Sequence, residues 1–92
     1  MYRIRFYQEA RDYLEKISDD EKRFILNKIN ELRKNPYSHS KLIPLKGYKK
    51  LWKFYMKENR AIIKIIMVKN QIIVLTIGHR GDVYRKFFGK RG

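Results

Sequence analysis

Apolar and polar positions change period several times along the chain. Tyr2, Ile4 and Phe6 alternate with Arg3 and Arg5, the period-two signature of a half-buried strand. Ala10, Tyr13, Leu14 and Ile17 then fall at i, i+3, i+4 and i+7, one apolar stripe on a helix of about three turns. Ser18 with Glu21 three positions on reads as a capping box, and Ile25, Ile29 and Leu32, with Leu26 beside them, form the core face of a second helix that Asn35-Pro36 stops. Two helices with one stripe each must pack as an antiparallel pair or against a common sheet. Residues 37–50 carry Pro44 and Gly47 and no sustained period, and read as a loop or irregular edge strand. Three β-rich segments follow, 51–57, 60–68 and 71–78, separated by Glu58-Asn59 and Lys69-Asn70. Two-residue separators favour positive φ, which Asn tolerates, so an antiparallel meander is expected. The fold class is α+β: an N-terminal strand and two antiparallel helices packed on one face of an antiparallel sheet.

With residues 58 and 59 as the turn, Trp52, Phe54, Met56, Ala61, Ile63 and Ile65 share one apolar face. Lys53, Tyr55, Lys57, Arg60, Ile62 and Lys64 share the other. Slipping by one residue buries the cations, so desolvation constrains the register. Extending the pairing through Lys69-Asn70 sets Arg60 opposite His79 and brings His79 to the basic face. The last segment is apolar on both sides, which makes it central with part of its second face covered. Strict alternation turns Arg80 toward the core, so a break or bulge is expected at Gly78. Tyr2, Tyr13, Phe24 and Trp52 lie on apolar stripes and belong to the core.

Charge is unevenly placed. The chain of 92 residues, a single domain by length, carries a formal net charge of +14. Residues 1–40 hold nine Lys/Arg and seven Asp/Glu, whereas residues 41–92 hold fourteen and two. A lopsided excess of this size favours an anionic partner, nucleic acid first, over a merely solvated lysine-rich surface. The absence of cysteine excludes a disulfide framework, a zinc ribbon and thiol chemistry, and makes a reducing cytoplasm the expected compartment. No apolar run is long enough to span a bilayer, so no membrane role is expected.

Arginine pairs bidentately with phosphate, lysine supplies a mobile charge and aromatic faces stack on unpaired bases. A surface holding all three binds single-stranded RNA at minimum. It also suits cleavage, because the 2′-hydroxyl is a nucleophile already beside the scissile phosphate. Glu58 and Asp82 are the only carboxylates of the C-terminal half, too few for a two-metal nuclease, so neither metal nor cofactor is expected. The acid and base candidates are His79, Tyr84, Tyr55 and the lysines; a dense positive field is expected to lower the Tyr and Lys pKa values. His39, in the polar loop, reads as an ordinary surface residue.

The string GHRGDVYRK, the segment LWKFYMKENRAIIKI, the Leu32-to-Pro36 helix end and the opening YRIRF together resemble the RelE/ParE toxin superfamily over nearly the whole chain. Within it, the GHR-x-DVY ending is similar to RelE-type mRNA interferases, while the WKF…R strand pair is shared with gyrase-poisoning ParE toxins. The resemblance implies a three- or four-stranded antiparallel sheet with two N-terminal helices. The activity it implies is metal-independent cleavage of mRNA in the ribosomal A site, with an acidic RelB-like antitoxin bound to the toxin in a hetero-oligomer. Carried over by motif, Lys53, Arg60, Arg80 and Tyr84 are the implied catalytic residues, with His79 beside them. Both arginines would stabilise phosphate, Lys53 and Lys57 would hold substrate or move a proton, and Tyr84 would stack or abstract a proton. Tyr55, Lys57, Lys64 and Arg85 are the expected RNA contacts. Tyr55 stands where the best-known bacterial form has a second lysine, and the Lys-to-Arg connection is shorter. The alternatives are a ParE-like gyrase inhibitor and a non-catalytic RNA- or ribosome-binding module.

Overall fold

The computed structural model describes residues 1–89, with only the backbone considered at Lys86 and Gly89. Strand β1 (Arg3–Phe6) leads into helices α1 (Gln8–Lys16) and α2 (Asp19–Asn30). After an irregular stretch come β2 (Leu42–Pro44), β3 (Leu51–Met56), β4 (Asn59–Ile66), β5 (Gln71–His79) and α3 (Val83–Gly89). The strands form one sheet in the order β1-β5-β4-β3-β2.

The capping box is present: Ser18 Oγ accepts from the Glu21 backbone N–H at 3.2 Å, and three acids in the first turn favour the positive end of the helix dipole. Helix α2 ends at Asn30, five residues before Asn35, and Leu32 reaches the core from the following turn. Ala10 and Leu14 of α1 and Ile25 and Ile29 of α2 meet Phe54, Met56, Ala61, Ile63, Ile72 and Val74 from the sheet in one core. Tyr2, Tyr13, Phe24 and Trp52 pack against it partly buried, as their stripes predict.

The sheet departs from the predicted one in its strand count, in the direction of β1 and in the position of both turns. It has five strands and is mixed, because β1 runs parallel to β5 while the other pairs are antiparallel. Part of the 37–50 stretch forms the edge strand β2, paired with β3, the second of the two readings expected for it. The β3–β4 turn is Lys57-Glu58, with Lys57 at φ 58°. Phe54 therefore pairs with Ala61 instead of Ile63. A shift of two residues preserves side-chain parity, so Trp52, Phe54 and Met56 still face the helices and Lys53 and Tyr55 still face away. The β4–β5 connection is a 3-10 turn, Met67–Lys69, closed by Asn70 in the left-handed conformation, which confirms the role given to that Asn.

The predicted break at Gly78 lies elsewhere. The ladder between β4 and β5 slips between Ile62 and Ile63: Ile62 pairs with Thr76 and Ile63 with Val74, leaving Leu75 as the extra residue. The bulge puts Ile77 with Ile72 and Val74 in the core and turns Thr76 and Gly78 to the opposite face. The strand then continues through Gly78 to His79, so the terminal arginine needs no break to escape burial. Helix α3, which the hydrophobic pattern does not predict, covers that second face of β5. A Cβ at Gly78 would lie 3.2 Å from Val83 Cβ, so the missing side chain is what lets α3 dock.

Two substitutions test this packing by urea denaturation. Gly78→Val forces α3 off β5 and lowers stability by about 1–3 kcal/mol, the usual cost of overpacking. Phe54→Ala empties the centre of the core and costs about 3–5 kcal/mol.

Candidate nucleic-acid interface

The face of the sheet away from α1 and α2 gathers side chains from three elements. Lys53 and Tyr55 are successive outward positions on β3, and Tyr55 pairs directly with Arg60 on β4. The Arg60 guanidinium stacks 4.1 Å from the Tyr55 ring centroid, and the Lys53 ammonium lies 5.7 Å from it. Arg60 Nη1 donates to the carbonyls of Lys57 at 2.6 Å and Asn59 at 2.9 Å. One nitrogen of the fork thus anchors the side chain to the turn, and the remaining donors stay available for an anion.

Tyr84 completes the cluster from α3. Its hydroxyl is buried without a hydrogen bond of normal geometry. Its pKa is raised, first by burial; Lys53 and Arg60 pull it down, while the neighbouring Tyr55 phenol adds to the rise. The expected lowering by the positive field is therefore corrected for Tyr84: desolvation outweighs the two cations, and the phenol stays protonated at neutral pH.

Other candidates lie apart from this cluster. His79 pairs with Asn59, whose side chain accepts from the Tyr13 hydroxyl at 2.6 Å and donates to Glu21 at 3.4 Å on the helix side. His79 therefore belongs to the helix side of the sheet end, where it lines a small cavity of about 200 Å³ with Tyr13, Asp82 and Arg85. The bulge at Leu75 is the reason: it reverses the parity on which the basic-face assignment rested. Lys57 also leaves the basic face, because as a turn residue it lays its ammonium 4.6 Å from the Phe24 ring of α2. Arg85 donates to the Gly81 carbonyl at 3.1 Å and lies 3.5 Å from Asp82. Lys64 shares the outward face but sits four residues along β4 from Arg60, about 13 Å away.

Arg80 lies at the same sheet end as Arg60, one pleat beyond Gly78, the residue opposite Arg60. Its backbone N–H donates to the Glu58 carbonyl at 2.8 Å, and its guanidinium meets the Glu58 carboxylate at 3.2 Å. Both side chains are about 60% exposed (61% and 60%), so the pair is solvent-screened and exchangeable. Beside Tyr55, a groove of about 350 Å³ is lined by Ser40, Lys41 and Ile43. Sequence reasoning missed these three because a three-residue edge strand ending in Pro44 carries too short a pattern. Among the described residues, no three His, Asp or Glu side chains come close enough together to hold a metal ion, and no helix is long and apolar enough to cross a membrane.

No family profile and no curated protein matches the chain by sequence. Solved structures match its fold closely. The archaeal RelE of a RelE–RelB complex from Pyrococcus horikoshii superposes with a TM-score of 0.75 at 21% identity, over 88% of this chain and 97% of that one. The isolated E. coli RelE toxin gives 0.74 at 19% identity over the whole of both chains. The intact E. coli RelBE toxin-antitoxin complex gives 0.74 at 18%, over 86% and 96%. The chain therefore has the α+β fold of RelE-type toxins.

Burial acts on more than one phenol. Tyr13, Tyr37 and Tyr84 all have pKa values raised above the ordinary 10, chiefly by desolvation. Below pH 10 these groups are neutral in both folded and unfolded chains; above it the unfolded chain ionises first. Stability is thus expected to hold up to about pH 10 and fall as pH rises through the folded-state values. Absorbance titration at 295 nm should show a late-ionising fraction that Tyr84→Phe reduces.

Proposed function

We propose that the chain is the toxin of a toxin-antitoxin pair and cleaves mRNA on the ribosome without a metal, in the cytoplasm. The observation that carries this reading is the convergence of Lys53, Tyr55, Arg60 and Tyr84 on the open face of a RelE-type sheet. RelE toxins of the matching structures are held in complexes with RelB, and a chain of net charge +14 suits an acidic RelB-like antitoxin.

In the proposed reaction the substrate's own 2′-oxygen attacks phosphorus, the bond to the 5′-oxygen breaks, and a 2′,3′-cyclic phosphate and a 5′-hydroxyl result. Arg60 and Lys53 flank the negative charge that grows on the non-bridging oxygens. Arg80 joins them once phosphate displaces Glu58. Tyr55, already stacked under Arg60, offers its ring to an unpaired base. Tyr84, a neutral phenol in a dry position, is placed to donate the proton that the departing 5′-oxygen needs. That replaces the proton abstraction implied by resemblance. The proton of the 2′-hydroxyl passes to the Lys53 side chain in its neutral amine form, and the ammonium so formed is the charge that flanks the non-bridging oxygens beside Arg60.

Primer-extension mapping with programmed ribosomes tests this reading, and codon-spaced breaks in translated messages are expected. Arg60→Ala should lower the cleavage rate by roughly 10²–10³ with a smaller loss of ribosome affinity. Lys53→Arg, which keeps the charge and gives up the proton acceptor, should bind normally and cleave roughly 10²-fold more slowly or worse. Equal losses of affinity and rate identify a binding module, and supercoiling arrest without breaks identifies a gyrase inhibitor.

A further inference from the structure

The outer edge of β2 is closed to a further strand. In the antiparallel ladder Lys41, Ile43 and Leu45 turn their backbone groups to β3: the Lys41 carbonyl accepts from the Tyr55 N–H at 3.1 Å, and the Leu45 N–H donates to the Leu51 carbonyl at 3.0 Å. Leu42 and Pro44 therefore face outward. The Leu42 N–H is taken by the His39 carbonyl at 3.1 Å and Pro44 has none, so this edge offers carbonyls alone. The segment leading into β2 is fastened at His39. Its Nε2 meets the Glu31 carboxylate at 2.8 Å, its Nδ1 accepts from the Lys41 backbone N–H at 3.1 Å, and its ring stands edge-on to buried Phe54 with centroids 5.0 Å apart. Because Nδ1 accepts, Nε2 carries the hydrogen and donates to Glu31. Ser40, between the two anchored residues, is thus held in place before any ligand arrives.

The groove of about 350 Å³ beside Tyr55 joins three chemistries in one small space. Ile43, 39% exposed and opposite Lys53, gives it an apolar wall. Tyr55 gives it an aromatic ring, which the Arg60 guanidinium covers from the β4 side and which stays open on the β2 side. Ser40 and Lys41 are exposed and supply the polar groups, and among the described residues Lys41 has no carboxylate within ion-pairing distance. A flat aromatic ligand with hydrogen-bonding groups along one edge satisfies all of these at once, and an unpaired nucleobase has that form. Lys41 stands opposite Tyr55 and Tyr55 opposite Arg60, two strand spacings or about 10 Å in all. The base of a nucleotide adjoining a phosphate held by Arg60 reaches that far.

We infer that this groove holds the base beside the cleaved bond and selects a keto base, guanine or uracil, over an amino base, adenine or cytosine. On their pairing edge guanine and uracil set a carbonyl oxygen next to a ring N–H, whereas adenine and cytosine set an amino group next to a bare ring nitrogen. The Lys41 ammonium can only donate, so it suits the keto oxygen and opposes the exocyclic amine. The Ser40 hydroxyl can accept, and takes the ring N–H alongside. Ile43 and Tyr55 enclose the ring itself. The inference rests on the RNA-cleaving reading of this face and adds base selectivity to it, which groups that meet only phosphate and ribose oxygens do not supply.

Two measurements separate the inference from the reading beneath it. Fluorescence anisotropy with the full chain and 2′-O-methyl RNAs of sequence AANAA, whose blocked 2′-oxygens prevent cleavage, reads base selection alone. The RNAs with guanine or uracil at N should bind roughly tenfold more tightly than those with adenine or cytosine. Lys41→Met should level the four affinities, and Lys41→Glu, which turns a donor into an acceptor, should favour adenine and cytosine. Lys69→Glu, the same change of charge on the β4–β5 turn, should weaken all four alike. Cleavage on programmed ribosomes tests the nuclease reading: keto-selective binding with no breaks at any codon would sink that reading and leave the selectivity of the groove standing. Equal affinities for the four RNAs, selection that survives Lys41→Met, or no binding at millimolar RNA would overturn the inference whatever the ribosome assay shows.

Discussion

The cost of taking a lysine or arginine out of water determines how the β3–β4 hairpin lies, and the rest of the molecule is arranged around it. Trp52, Phe54 and Met56 can meet the helices only if Lys53 and Tyr55 face away. Once they do, Arg60 falls directly opposite Tyr55 and stacks on it. Burying those cations would cost several kcal/mol each, more than the hydrophobic gain from any one side chain turned inward in exchange. The turn is therefore free to move by two residues, as it does, but not by one.

A second constraint acts on β5, where no cation enforces parity. Its residues are apolar on both sides, so either phase is chemically acceptable, and the phase is set by packing: α1 and α2 on one face, α3 on the other. The bulge at Leu75 reconciles them, placing Ile77 in the main core and Gly78 beneath Val83. Tyr84 follows Val83 in the chain, so the contact that docks α3 also delivers the phenol to Lys53 and Arg60.

These two cases explain what the chain made legible. Strong alternation gave the faces of β3 and β4 correctly, and with them Lys53, Tyr55 and Arg60 as neighbours. The capping box located the start of α2, and the stripes identified the core aromatics. Where both phases are apolar the signal vanishes, so the pattern puts His79 on the wrong side and the break three residues late. Alternation misplaces Lys57 because a turn residue escapes the parity of its strand. The parallel pairing of β1 with β5 joins segments far apart in sequence and leaves no local mark. Segments as short as β2 and α3 hold too few residues for a period to emerge.

The pairing of Glu58 with Arg80 carries a further consequence. The C-terminal half has two acidic side chains, and each sits against an arginine, Glu58 on Arg80 at the sheet end that carries Arg60 and Asp82 on Arg85 away from it. An incoming anion at Arg80 thus enters a competition instead of a vacancy, exchanging one oxygen acid for another with little net gain. A stray phosphate gains too little from that exchange to linger. In the proposed reaction a polymer that also gripped Arg60 and Lys53 would gain enough to displace the resident carboxylate, and Glu58 would then act as a decoy that filters ligands by how many contacts they make at once.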